Sequence, residues 1–155
     1  MSCDVAVAAL YLALASPSME PAGLSANMIS LAVRSEGRSL SREPLYAAIV
    51  TRATDLRRRV DRLAQQDDVT AIPGLKPDLE ALSGLDMEAH FDLAARGTDG
   101  DLKCILKGIS VDLVARYSLL ANAADRRTRQ AALVEMSYLL RDNIEVITAP
   151  PAPPV

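Results

Sequence analysis

Residues 101–147 read DLKCILKGISVDLVARYSLLANAADRRTRQAALVEMSYLLRDNIEVI, and this stretch decides the fold. Leu102, Ile105, Leu106, Ile109, Leu113, Tyr117 and Leu120 recur at three- and four-residue steps, which sets them on one face of a helix from residue 101 to about 121. Leu133, Met136, Leu140, Ile144 and Ile147 do the same for a helix from residue 125 to about 147. The link Asn122-Ala123-Ala124 is short enough to require antiparallel neighbours, and Asp125 can accept from the free N–H groups that open the returning helix. An antiparallel helical hairpin is therefore predicted at the C-terminal end.

Upstream, the same reasoning gives a helix from Ser41, a candidate cap, to about Gln66. Pro44 stands in its first turn, where a missing N–H is tolerated, and Leu45, Ile49, Leu56, Val60 and Leu63 form its stripe. Residues 4–15 read as a helix apolar nearly all round, and a milder one follows Pro21 through Leu24, Met28, Leu31 and Ala32 to Gly37. Between 67 and 100 the pattern breaks up, with Pro73-Gly74, Pro77, Gly84, Gly97 and Gly100 as punctuation. Two short helical pieces, 78–82 and 86–95, and an acidic, irregular, mobile or functional connector are expected there. The Pro-rich end, residues 149–155, lacks most backbone donors and is predicted to be a disordered, extended tail. The expected architecture is all-α: a compact bundle of four to six helices forming a single helical domain over residues 1–148.

Composition agrees. Of 155 residues half are apolar, with 25 Ala, 22 Leu, one Phe and no Trp, so the core is to be built from strong helix formers. The net charge of −3 argues against a free-standing nucleic-acid binder, which needs an excess of cations to neutralise phosphates. The charges fall in blocks: −2 over residues 1–33, +4 over 34–62, −7 over 67–101, +4 over 103–129 and −2 over 130–155. Cys3 and Cys104 show neither metal-ligand nor redox spacing, and reduced thiols in the cytoplasm are the simple expectation. The competing expectation is secretion: the apolar run 5–15 ends in Ala13-Leu14-Ala15, shaped like a cleavage site, but Asp4 precedes it and no Lys or Arg does. The run is shorter than the roughly 20 residues that a transmembrane helix needs.

The candidates for chemistry are few. His90 is the one histidine, with Asp86 four residues back on the same helical face. A small helical enzyme or ligand carrier using His90, Asp86 and nearby carboxylates would require a pocket lined by Leu79, Leu82, Met87 and Phe91. The acidic residues of the connector otherwise read as a solvated surface. The glycines match neither a Walker-type nor a dinucleotide-binding spacing, and no metal site or cofactor is expected. Cys104-Ile105-Leu106-Lys107-Gly108 is similar to the helix signature of histidine phosphotransfer domains, in which a phospho-accepting His is followed two residues later by Leu-Lys-Gly within a four-helix bundle. Here Cys104 holds the His position, so over these five residues the resemblance implies at most a docking bundle without phosphotransfer.

The arginines are more informative. Arg52, Arg57, Arg58, Arg59 and Arg62 crowd one helix, where Asp55 can reach Arg58 or Arg59 and Arg57 can reach Asp61. Any surplus of this Arg52–Arg62 face would meet an acidic partner, a phosphate ligand, nucleic acid or the chain's own 67–101 block. In the final helix Arg126, Arg127 and Arg129 occupy the positive pole of the dipole and Asp142 and Glu145 the negative pole, the reverse of what favours a helix. Either the acidic block folds back over the hairpin tip, or the tip contacts an anion or a partner. Arg58, Arg59, Arg62, Arg126, Arg127 and Arg129 are thus the candidate contact residues. The expected function is that of an interaction or regulatory protein of the bacterial-type cytosol, non-catalytic, with a protein partner that is most simply a second copy of itself.

Overall fold

A computed structural model describes residues 40–97 and 101–149. Among them are four α-helices, α1 (Pro44–Gln66), α2 (Lys76–Ala95), α3 (Leu102–Ala121) and α4 (Arg126–Thr148), with a 3-10 segment, Val69–Leu75, between α1 and α2. The helices expected at 4–15 and after Pro21, and the tail from 150 onward, lie outside the described residues.

Side-chain links fix the arrangement. Tyr46 Oη donates to Asp92 at 2.7 Å and Arg59 pairs with Asp78, so α1 and α2 run antiparallel. The Ser83 and Ser110 hydroxyls meet at 2.8 Å between α2 and α3, and Arg116 pairs with Glu135 at 2.6 Å between α3 and α4. Ser137 donates to Asp61 at 2.6 Å, and Gln130 to the Ala64 carbonyl at 2.8 Å, which closes α4 back onto α1. The result is an all-α bundle in which each helix lies beside the next in sequence and the last beside the first.

The hairpin and α1 follow their stripes. Ile49, Leu56, Val60, Leu106, Leu113, Leu120, Leu133, Met136, Leu140 and Ile147 all enter one buried cluster. Asp125 caps α4, accepting from Thr128 N at 2.9 Å, as the sequence implied. The cap of α1 differs: it is Glu43, not Ser41, and its side chain bonds no N–H of the helix. Instead Glu43 takes both nitrogens of Arg96 at 3.0 and 2.6 Å, an end-clamp between α1 and α2. The Arg96 guanidinium holds the Glu43 carboxyl below its usual range.

The connector is the main correction. The stretch expected as an irregular link with two helical fragments over residues 67–100 is, in its described part, mostly one helix, because α2 runs unbroken from Lys76 to Ala95 through Gly84. Pro77 sits in its first turn, where proline is tolerated, and an exposed helical glycine costs only about 1 kcal/mol. Burial of Leu79, Leu82, Ala89 and Leu93 outweighs that. The short segment before α2 is also anchored, by Ile72 and Leu75 in the core and by Asp68, which accepts from Thr70 N at 3.0 Å.

Candidate functional site

The residues singled out for chemistry separate in three dimensions. Asp86 bonds Asn143, not His90. It projects into the core, fully buried, where Asn143 Nδ2 donates to its Oδ2 at 2.7 Å from α4. Burial raises the Asp86 carboxyl to about 7, against the smaller lowering by Asn143. Asp86 Oδ1 and Asn143 Oδ1 are buried without partners as long as the acid is ionised. A protonated Asp86 has an O–H to offer the amide oxygen, the one donor that this pair lacks. The arrangement suits a neutral acid–amide pair closed off from solvent, not a group that reaches a substrate.

His90 lies half-buried beside α3, its Nδ1 2.7 Å from the Lys103 carbonyl. A carbonyl only accepts, so Nδ1 carries the hydrogen. Phe91 packs edge-on at 5.2 Å and is 62% exposed, while Leu79 and Leu82 are in the core. The side chains expected to line a pocket around His90 therefore point to opposite sides of α2. Among the described residues no group of three His, Cys, Asp or Glu side chains converges as a metal site would require.

The arginine face of α1 is answered from within the chain. Arg58 pairs with Asp55 at 3.4 Å and Arg57 lies 3.9 Å from Asp61, as the spacing implied. Arg52 and Arg59 both turn to Asp78 of α2, and Arg59 also donates to the Gly74 carbonyl at 2.7 Å. Arg62 alone of the group makes no ion pair with a described residue. At the hairpin tip, Asp67 receives Arg126 at 3.3 Å and Arg129 at 3.4 Å, so the acidic block does fold back over two of the three arginines. Asp67 closes α1 in the left-handed conformation, φ 52°, which aims its carboxylate at α4. Arg127 has no ion pair among the described residues.

Among the described residues, the outer face of the hairpin presents apolar side chains to solvent. Five of the seven large apolar side chains that are exposed among the described residues belong to α3 and α4: Val111, Val114, Leu119, Val134 and Tyr138. Between the two helices runs a groove of about 280 Å³ lined by Asp112, Arg116, Val134, Glu135, Tyr138 and Leu139. The Arg116–Glu135 pair crosses it, and the Arg141 guanidinium stacks 4.3 Å over the Tyr138 ring. Arg141 also reaches Asp142 at 3.4 Å and Glu145 at 3.6 Å. Sequence reasoning passed over Val134 and Tyr138. The available signal was an apolar pair four residues apart, off the buried stripe of its own helix.

On α3, Lys107 and Gly108 are exposed and a Cβ at Gly108 would meet open space. Cys104 is disulfide-bonded, which corrects the expectation of a reduced thiol; Cys3, the other cysteine, lies outside the described residues. Among the described residues no helix is long and apolar enough to cross a membrane. No family model, curated protein or solved structure matches this chain.

Proposed function

We propose that this chain is a non-catalytic interaction protein that regulates by protein–protein contact, and that it associates with itself. The observation that carries the reading is the groove between α3 and α4, where Val134 and Tyr138, each more than half exposed, lie together beside Leu139 and Arg116. Single exposed apolar residues need no explanation, but a cluster that includes an aromatic side chain on neighbouring helices favours an interface. His90 and Asp86 bond to different partners, the Lys103 carbonyl and Asn143, and this favours the interaction reading over the enzyme reading. Pairing of Arg52, Arg57, Arg58 and Arg59 with aspartates likewise leaves little free charge for nucleic acid.

Light scattering of the full chain across a wide concentration range tests self-association. A mass near twice 16.6 kDa, falling on dilution, is expected; a monomer throughout would overturn it. A cytoplasmic location accompanies the proposal, and the disulfide at Cys104 opposes it. Cells lysed into an alkylating reagent decide between them, because two labelled thiols per chain would support the cytoplasm and none an oxidising compartment.

A further inference from the structure

The reversed charges of α4 gain a reason once its outward face is followed along its length. Arg127, Ala131, Val134, Tyr138 and Glu145 are all exposed, with Arg141 and Asp142 at the margin. The face is positive at its start, apolar in the middle and negative at its end. Its pattern is also symmetric: Arg127 with Glu145, Ala131 with Arg141, and Val134 with Tyr138 are three pairs that share one midpoint, the level of Met136.

A sequence centred in this way is self-complementary under a two-fold axis, because in such an interface residue i meets j and j meets i. Turning a copy of α4 about an axis at Met136, perpendicular to the helix, sets Val134 of each chain against Tyr138 of the other. The same operation sets Arg127 against Glu145 at both ends. It also brings the positive pole of each helix beside the negative pole of its neighbour, so charges that oppose the dipole within one chain are matched between two. Arg127, which has no ion pair among the described residues, acquires one, and Glu145, whose one ion pair among those residues is a 3.6 Å contact with Arg141, gains a second. Leu119 of α3 and the adjoining groove widen the contact beyond a single helix.

We infer that the outer face of α4 is a self-association surface on which a second copy of this chain packs antiparallel, with the two-fold axis at the level of Met136. The inference rests on the self-association reading above and adds the face, the direction and the register.

Sedimentation velocity on the full chain tests it with two charge reversals, Arg127→Glu and Glu145→Arg. Each reversal alone sets two like-charged contacts into every dimer and weakens association by about tenfold or more. Mixed in equal amounts, the two variants form a heterodimer in which both end contacts are again of opposite sign, and association returns to within about threefold of the unaltered chain. Val134→Glu places a charge at the apolar centre and gives a monomer. All three positions are exposed, so circular dichroism is expected to be unchanged. An unaltered chain that stays monomeric overturns self-association itself. If it dimerises and neither reversal weakens it, self-association stands and the α4 face is overturned; if both weaken it but the mixture is not restored, the antiparallel register is overturned.

Discussion

At the scale of single residues, Asp86 shows how a charged residue type can be a core residue. It stands in the buried stripe Leu79, Leu82, Asp86, Ala89, Leu93, at the step where an apolar side chain would be expected, and Asn143 interrupts Met136, Leu140, Asn143, Ile147 in the same way. Sequence reading assigned Asp86 to the surface, because a carboxylate in a core is costly unless paired or protonated. The two interruptions answer each other across the bundle, and neither is intelligible from its own helix. No cation or second carboxylate acts on Asp86; burial raises its pKa and the Asn143 hydrogen bond lowers it by less. The folded state therefore holds this proton up to about pH 7, whereas the unfolded chain releases it near the ordinary value of 3.8. Stability from this source is complete at pH below the unfolded value and is lost as pH rises toward 7. Between pH 5 and 8 the loss is about 2–3 kcal/mol, read as a lower urea midpoint. Asp86→Asn keeps the shape and supplies the missing donor at every pH. Its midpoint should be flat over that range and higher than that of the unaltered chain at pH 8. An unaltered chain with the same midpoint at pH 5 and 8 would show that Asp86 titrates normally.

At the scale of elements, the hairpin was legible almost to the residue, since apolar period, short link and Asp125 cap all agree. α2 was not, because its stripe contains Asp86 and its sequence contains Gly84, two local signals for a break that tertiary burial overrides. Gly84 shows what that override costs. It lies inside α2, and a Cβ there would meet nothing within 4 Å, so Gly84→Ala removes backbone freedom from the unfolded chain without a clash. It should stabilise by about 0.5–1 kcal/mol, and Gly108→Ala on α3, equally open, by a similar amount. Gly97 behaves oppositely. It follows α2 with φ +67°, a conformation that side chains resist, and Gly97→Ala should destabilise by about 1–2 kcal/mol although it too has open space. Thermal melts of the three variants make the comparison. A destabilised Gly84→Ala would mean that the glycine serves a kink or a contact not apparent in the helix.

At the scale of the whole molecule, part of the acidic block 67–101 proved to be neutralised from within the chain. Asp67 and Asp78 of the acidic block neutralise arginines of α4 and α1, so the net charges of the acidic block and of the two basic blocks overstate what their described residues present at the surface. Sequence identified the partners as classes but not the pairings, which depend on how far the bundle brings distant helices together. What makes the pairings reproducible is the shared core. The cross-links between helices set Leu56, Leu82, Leu113 and Leu140 near one level, each from a different helix and each at most 1% exposed. A cavity opened on any helix at that level is felt by all four. Leu56→Ala and Leu113→Ala should each cost about 2–5 kcal/mol, the range for deleting a buried leucine side chain. Both should shift a single transition, seen together by far-ultraviolet circular dichroism and by the signal of Tyr46, which is buried at the α1–α2 end. If the α1 variant instead moves the tyrosine signal while part of the helical signal melts unchanged, the hairpin folds as a unit of its own and the core is two packings laid side by side.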